Sequence, residues 1–239
     1  MKKIEKRRAI FRDREDACNA LIEILPKHIL TSEETVVLGI SEGGAYFADK
    51  IAQALNSRMD LLLTESIYSN INKKLPIAMV GETEELVMHK ALIDSFGVSK
   101  DYIYNEASRK YNQVIFSYIQ KYRNGEVLNG LEDKYVVLVD ECVETSLTML
   151  TAIKTVIALG AKNVFIVVPI LDNIVYRSLL NVCDNLFCSQ KIDDYISIEY
   201  YYETIEEFTF DEIDALMSKA KIRNQEIKLR NKIKIKNEG

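Results

Sequence analysis

Histidine is almost missing from this chain: His28 and His89 are the only two among 239 residues. Neither stands near a cysteine or acid cluster, so a surface or helix-end position is expected for both, not a metal site or a general-base pair. Four cysteines (Cys18, Cys142, Cys183, Cys188) lack metal-ligand spacing. They read as reduced thiols of a cytosolic protein. No segment approaches the ~18 consecutive apolar residues that a membrane-spanning helix needs. The basic opening MKKIEKRRAIFRDRED has no apolar run behind it, so a secretory signal is not expected. These absences together point to a cytoplasmic location and away from membranes. Internal repeats are absent too, as is any low-complexity linker before residue 219.

What is present suits a full core. Apolar residues make up 48% of the chain and charged residues 28%, enough for one α/β domain or one and a half. The net charge of −5 is unevenly spread. Residues 219–239 carry eight Lys/Arg against Glu226 and Glu238, so this stretch is +6 and the remainder −11. Residues 1–218 are therefore expected to be the domain, and 219–239 a basic C-terminal tail. The tail reads as a frayed helix or one docked on an acidic body. No aromatic residue interleaves its charges, which argues against nucleic acid as a partner.

Apolar periodicity divides the chain into alternating helices and strands. Helices are expected over 13–30, 45–55, 99–123, 145–159 and 172–180, with a last one from Asp211. Strands are expected at 35–40, 59–64, 135–139 and 163–168, with others near 184–188 and 194–202. SEGG (41–44) reads as a turn, and IAMV with ELVMH as a hairpin around Gly81. Residues 65–76 read as a long polar surface loop. This alternation predicts an α/β fold: a mostly parallel twisted sheet flanked by helices, with a small hood region built from parts of 183–218. In such sheets ligands bind beyond the carboxyl ends of the strands, where 41–44, 65–76 and 140–148 would converge.

The richest stretch is YVVLVDECVETSLT (135–148). A β-branched apolar strand delivers Asp140 and Glu141, then Thr145, Ser146 and Thr148 at the start of a helical pattern. A helix start offers free N–H groups and a positive dipole end to a phosphate. The two carboxylates suit adjacent sugar hydroxyls with Mg²⁺ nearby. For Thr145 and Thr148 taken alone, helix capping is an equal reading. For Glu144 alone, a first-turn acid favouring the dipole competes with a contact to a base.

This stretch resembles the phosphoribosyl-diphosphate (PRPP) loop of type I phosphoribosyltransferases. The resemblance extends to FRDREDA (11–17), similar to an FxDRxxA opening in one bacterial branch of that family. It includes VVLGISEGG (36–44), similar to a strand followed by Pro-Arg-Gly-Gly, and YYETIEEFTFDEI (201–213), similar to an aromatic-acidic tail. It implies a transferase that moves a phosphoribosyl group from PRPP to a nucleobase-like acceptor, with Mg²⁺ as cofactor, in a homodimer. By the same resemblance, Asp140, Glu141, Thr145, Ser146, Leu147 and Thr148 bind PRPP. Ser41, Glu42, Gly43 and Gly44 form the pyrophosphate loop. Asp140 and Glu141 approach the metal through ribose or water, and Glu144 is the catalytic residue facing the base. Lys73 and Lys74 sit in the expected mobile loop. Tyr201 and Tyr202 fall in the hood, where they stack on a base or else pack the core or a dimer contact.

Three departures from that pattern stand out. Glu42 replaces an Arg, Glu65-Ser66 replaces Arg-Lys, and Ser146 replaces a Gly. Two cations expected near pyrophosphate thus become anions. They leave a second reading open: a non-catalytic regulatory protein of the same fold that binds a phosphoribosyl group or nucleoside monophosphate.

Overall fold

The computed structural model describes residues 9–30, 34–143 and 145–238, with backbone alone at 210, 231, 232 and 234–238. In chain order come α1 (Arg14–Ile24), α2 (Lys27–Leu30), β1 (Thr35–Gly39), α3 (Glu42–Leu55) and β2 (Arg58–Leu61). A second group follows: β3 (Thr64–Tyr68), β4 (Pro76–Gly81), β5 (Leu86–Met88), α4 (Lys90–Phe96), α5 (Lys100–Lys110) and α6 (Phe116–Arg123). The chain then forms β6 (Tyr135–Val139), α7 (Ser146–Ala158), β7 (Asn163–Asp172), α8 (Asn173–Leu180), β8 (Leu186–Ile192) and α9 (Phe210–Glu238).

The main sheet runs β2-β1-β6-β7-β8 and is parallel throughout. Its strands are apolar on both faces because both faces are covered. Val37, Val137, Val139 and Val167 pack against α1, α3 and α9. Their neighbours Val36, Leu38, Val136, Leu138 and Ile166 pack against α7 and α8. The mostly parallel, helix-flanked fold expected from the sequence is the one observed. No helix among the described residues is long and apolar enough to cross a membrane.

Several local expectations need correction. The helix expected over 13–30 breaks at Pro26, because Leu25 before it is extended (ψ 139°) and the proline cannot continue the ladder. Residues 65–68 are not loop. They belong to β3, which pairs antiparallel with β4, and β4 with β5. β3 is an edge strand burying only Ile67, so its sequence shows little apolar alternation. The connecting loop is 69–75. The 41–44 turn is instead the start of α3: Ser41 caps it by accepting from the Gly44 N–H at 2.8 Å. β7 continues through Pro169, beyond the last residue that pairs with β6 (Val167), where a missing N–H costs no bond to that neighbour. The strand expected at 194–202 does not form; residues 198–200 make a short 3₁₀ turn.

The basic tail is helical, and α9 runs through residue 219 without a break. Ala220 and Ile227 are buried against the body, and Arg223 pairs with Asp49 at 2.7 Å. The Asn224 amide lies along edge strand β2. Its Oδ1 accepts from the Met59 N–H at 3.0 Å and its Nδ2 donates to the Met59 C=O at 2.7 Å. Asn224→Ala orphans both groups, and we expect a loss of about 1–3 kcal/mol in unfolding free energy. A urea titration with unchanged slope and lowered midpoint checks this.

Candidate functional site

β1 and β6 pair in register from Thr35 opposite Tyr135 to Gly39 opposite Val139. Their carboxyl ends therefore deliver 41–44 and 140–148 side by side, where the strand order reverses. A cleft of about 560 Å³ opens there. These loops form its floor, Tyr68 and Lys74 of the β3–β4 hairpin one wall, and Tyr195 and Ile198 another.

Asp140 is 8% exposed and accepts from the Ser41 hydroxyl and from the Glu141 N–H at 2.8 Å. The two loops are thus tied together through the acid. Glu141 turns toward α1. Arg14 grips it with two hydrogen bonds, Nε to Oε1 at 3.1 Å and Nη2 to Oε2 at 3.3 Å. Burial raises the Glu141 pKa, and the Arg14 cation opposes that shift. Arg14 is itself held: it lies 4.3 Å from the Phe208 ring centre and donates to the Glu206 carbonyl at 2.5 Å. Gly43 is required here, because a Cβ would stand 1.6 Å from Glu141 Oε2.

Thr145 is the N-cap residue of α7, yet its side chain makes no capping bond. Capping therefore does not account for its hydroxyl, and the first-turn N–H groups take no acceptor from it. Ser146 is the first helical residue and is not among the positive-φ positions, so replacing glycine stores no backbone strain. Leu147 buries its side chain against Met79 and Val87, leaving only its backbone to meet a ligand. Thr148 lines the cleft. Glu144 lies outside the described residues.

The charge reversals differ in weight. Glu65 pairs with Lys110 at 2.8 Å, so its charge is met locally. Glu42 is exposed on the cleft rim at the first position of α3. Of the two loop lysines, Lys74 lines the cleft and Lys73 does not. The stacking role expected of Tyr201 and Tyr202 is not supported. They are 2% and 4% exposed, and Tyr202 packs its ring against Phe11, so neither offers a face to a base. Tyr195 takes the cleft position instead, backed by Tyr201 at 5.6 Å. Sequence reading also missed Arg14. Its signal was the FxDRxxA pattern, in which Phe11 and Ala17 are buried, Asp13 caps α1 and Arg14 holds the acid.

The phosphoribosyl transferase domain model matches residues 8–204. The chain belongs to the phosphoribosyl transferase family. Two Mycobacterium tuberculosis proteins, from strains CDC 1551 / Oshkosh and H37Rv and provisionally named phosphoribosyl transferases, are each 24% identical over 212 residues. That match covers 88% of this chain and 47% of theirs, so the chain spans about half the length of these curated relatives. A crystal structure of a Thermus thermophilus protein overlays with a TM-score of 0.71 at 28% identity, covering 87% of this chain and 97% of that one.

In this phosphoribosyl transferase domain, no three His, Cys, Asp or Glu side chains among the described residues gather into a metal cage. Asp140 and Glu141 are the donor type that would suit Mg²⁺, which is commonly held through one or two carboxylates and water. Removing the cation that opposes Glu141 should be costly. Arg14→Met is expected to lose about 3 kcal/mol of stability at near-neutral pH, by leaving a mostly buried carboxylate unpaired. A carboxyl with a raised folded pKa binds its proton more tightly folded than unfolded, so its contribution falls as pH rises from the unfolded toward the folded pKa. Unfolding scans of Arg14→Met should therefore show a deficit that shrinks in mild acid and is largely repaired by adding Glu141→Gln.

Proposed function

We propose that this domain binds PRPP with Mg²⁺ and transfers its phosphoribosyl group to a nucleobase-like acceptor. The observation carrying this reading is the uncapped start of α7 beside Asp140 in the cleft. Free N–H groups, the Thr145 and Thr148 hydroxyls and a positive dipole end border one space with a carboxylate at its edge.

In this reading the N–H groups of 145–148 and the hydroxyls of Thr145, Ser146 and Thr148 hold the 5′-phosphate. Asp140 accepts from ribose hydroxyls while Ser41 fixes its other side. Glu141, oriented by Arg14, borders the same sugar. The 41–44 segment meets the pyrophosphate through backbone, close to Gly43, with Lys74 as its cation. Bound Mg²⁺ would offset charge on the departing pyrophosphate, with Asp140 and Glu141 reaching it through ribose or water. The reacting carbon passes through an oxocarbenium-like state, so positioning and charge complementarity do the work and no protein nucleophile is needed. Glu144 keeps the role its motif position gives it, hydrogen-bonding the base or taking its proton. Tyr195 and Ile198, in the 183–218 hood, flank the acceptor. A cytoplasmic homodimer accompanies this reading.

A second reading rests on Glu42 and on the engagement of Glu141 by Arg14. Both weaken the pyrophosphate half and favour a regulatory domain that holds a nucleoside monophosphate without turnover.

Calorimetric titration of PRPP tests both. Micromolar, Mg²⁺-dependent binding, weakened at least about tenfold by Asp140→Asn or Thr145→Val, is expected. Pyrophosphate release should then be screened across nucleobases. Absent PRPP binding alongside nucleoside monophosphate binding would establish the second reading instead. Lys74→Ala should weaken PRPP binding and Lys73→Ala should leave it unchanged; equal effects would remove Lys74 from the cleft chemistry.

A further inference from the structure

A second cavity, of about 300 Å³, lies between the start of β2, the end of α6 and α9. It is separate from the cleft and shares none of its lining residues. Four cations line it (Arg58, Arg123, Lys221 and Lys228), against two carboxylates, Asp60 and Glu126. That excess is unusual on a chain of net charge −5.

Two of the cations are incompletely used. The Arg123 side chain is only 9% exposed, and its Nη2 donates to Glu82 at 2.5 Å. Its Nη1 is buried without a hydrogen-bond partner. Arg58 makes no ion pair within 4 Å among the described residues, and its buried Nε is also unpartnered. A buried donor left unpaired is destabilising, more so when it is charged. Both nitrogens are shielded from water, so the side chains must turn outward to meet a ligand in the cavity. The backbone also makes room for the guanidinium. Gly130 has φ +70°, and a Cβ there would stand 2.9 Å from Arg58 Nη1. Asp60 faces both guanidiniums and accepts from the Leu61 N–H at 2.8 Å, yet neither Arg58 Nε nor Arg123 Nη1 donates to it.

We propose that this cavity is a second ligand site that binds the phosphate group of a small phosphomonoester. Planar guanidinium forks suit phosphate oxygens, and a dianion supplies enough acceptors for both arginines once they turn toward the cavity. Lys221 and Lys228, on α9, close the charge from the open side. The Asp60 carboxylate then favours a ligand bearing a hydroxyl donor next to its phosphate, such as a polyol phosphate. Occupancy would bear on the cleft through one short chain of contacts. Arg123 holds Glu82, and Glu82 accepts from the Leu63 N–H at 2.9 Å, at the root of the hairpin carrying Tyr68 and Lys74.

The test is calorimetric titration of orthophosphate and glycerol 3-phosphate into the full chain at constant ionic strength. Three proteins are compared: the wild type, Arg58→Met/Lys228→Met, and the cleft variant Asp140→Asn/Thr145→Val. The cleft variant separates this site from the PRPP reading. The proposal requires that it keep a phosphate site and that Arg58→Met/Lys228→Met lose that site's affinity by at least about tenfold. Glycerol 3-phosphate should bind more tightly than orthophosphate, and Asp60→Asn should erase that difference. Affinity unchanged by Arg58→Met/Lys228→Met, or phosphate binding abolished by the cleft variant alone, would overturn it. The unfolding midpoint of Arg58→Met in phosphate-free buffer shows whether Arg58 also serves the buried Asp60 carboxylate beside it. If it does fall, Arg58 is structural, and exposed Lys228→Met alone decides, with loss of phosphate affinity required and unchanged affinity fatal.

Discussion

Parallel pairing of β1 with β6 is the constraint on which the cleft depends. It sets two chain segments about a hundred positions apart at the same height, and each brings what the other lacks. One segment has glycine and a capping serine; the other has two acids and an unused helix start. The fit is close enough that Glu141 occupies the volume a side chain at position 43 would need. The serine that caps α3 also ties down Asp140. Arg14 then brings α1 into the same assembly, so three helices and two strands meet around one pair of carboxylates.

Much of this was legible in the chain. The β-branched strands, the Asn124-Gly125 stop and the Gly160 stop gave the main elements, because each is a local backbone preference. The acids and hydroxyls of 140–148 were legible for a similar reason: strand, turn and helix start are contiguous. What escaped reading was set by distant partners. β3 looks like loop because it is a polar edge whose strand character comes from pairing with β4. Glu65 looks like a lost cation until Lys110 is found beside it, 45 residues away. Tyr201 and Tyr202 look like a stacking surface, and only the packing of Phe11 shows that they are interior.

The charge pattern has two distinct consequences. On the acidic body each reversal is judged by its neighbours: Glu65 is compensated, and Glu42 remains at the rim. On the opposite side of the main sheet's edge, the basic helix α9 is not merely a solvated tail. Its inner residues seal the core, and its Lys221 and Lys228 add positive charge to a cavity already lined by Arg58 and Arg123 of the body.

The way α9 covers β2 also bears on biogenesis. An uncovered edge strand invites pairing with another chain. Here the covering is done by an amide that imitates a neighbouring peptide group, and Asn224 is separated from Met59 by 165 residues. During synthesis β2 must therefore wait, with its outer hydrogen-bonding groups open, until nearly the whole domain has left the ribosome. The nascent chain is most exposed to mispairing in that interval.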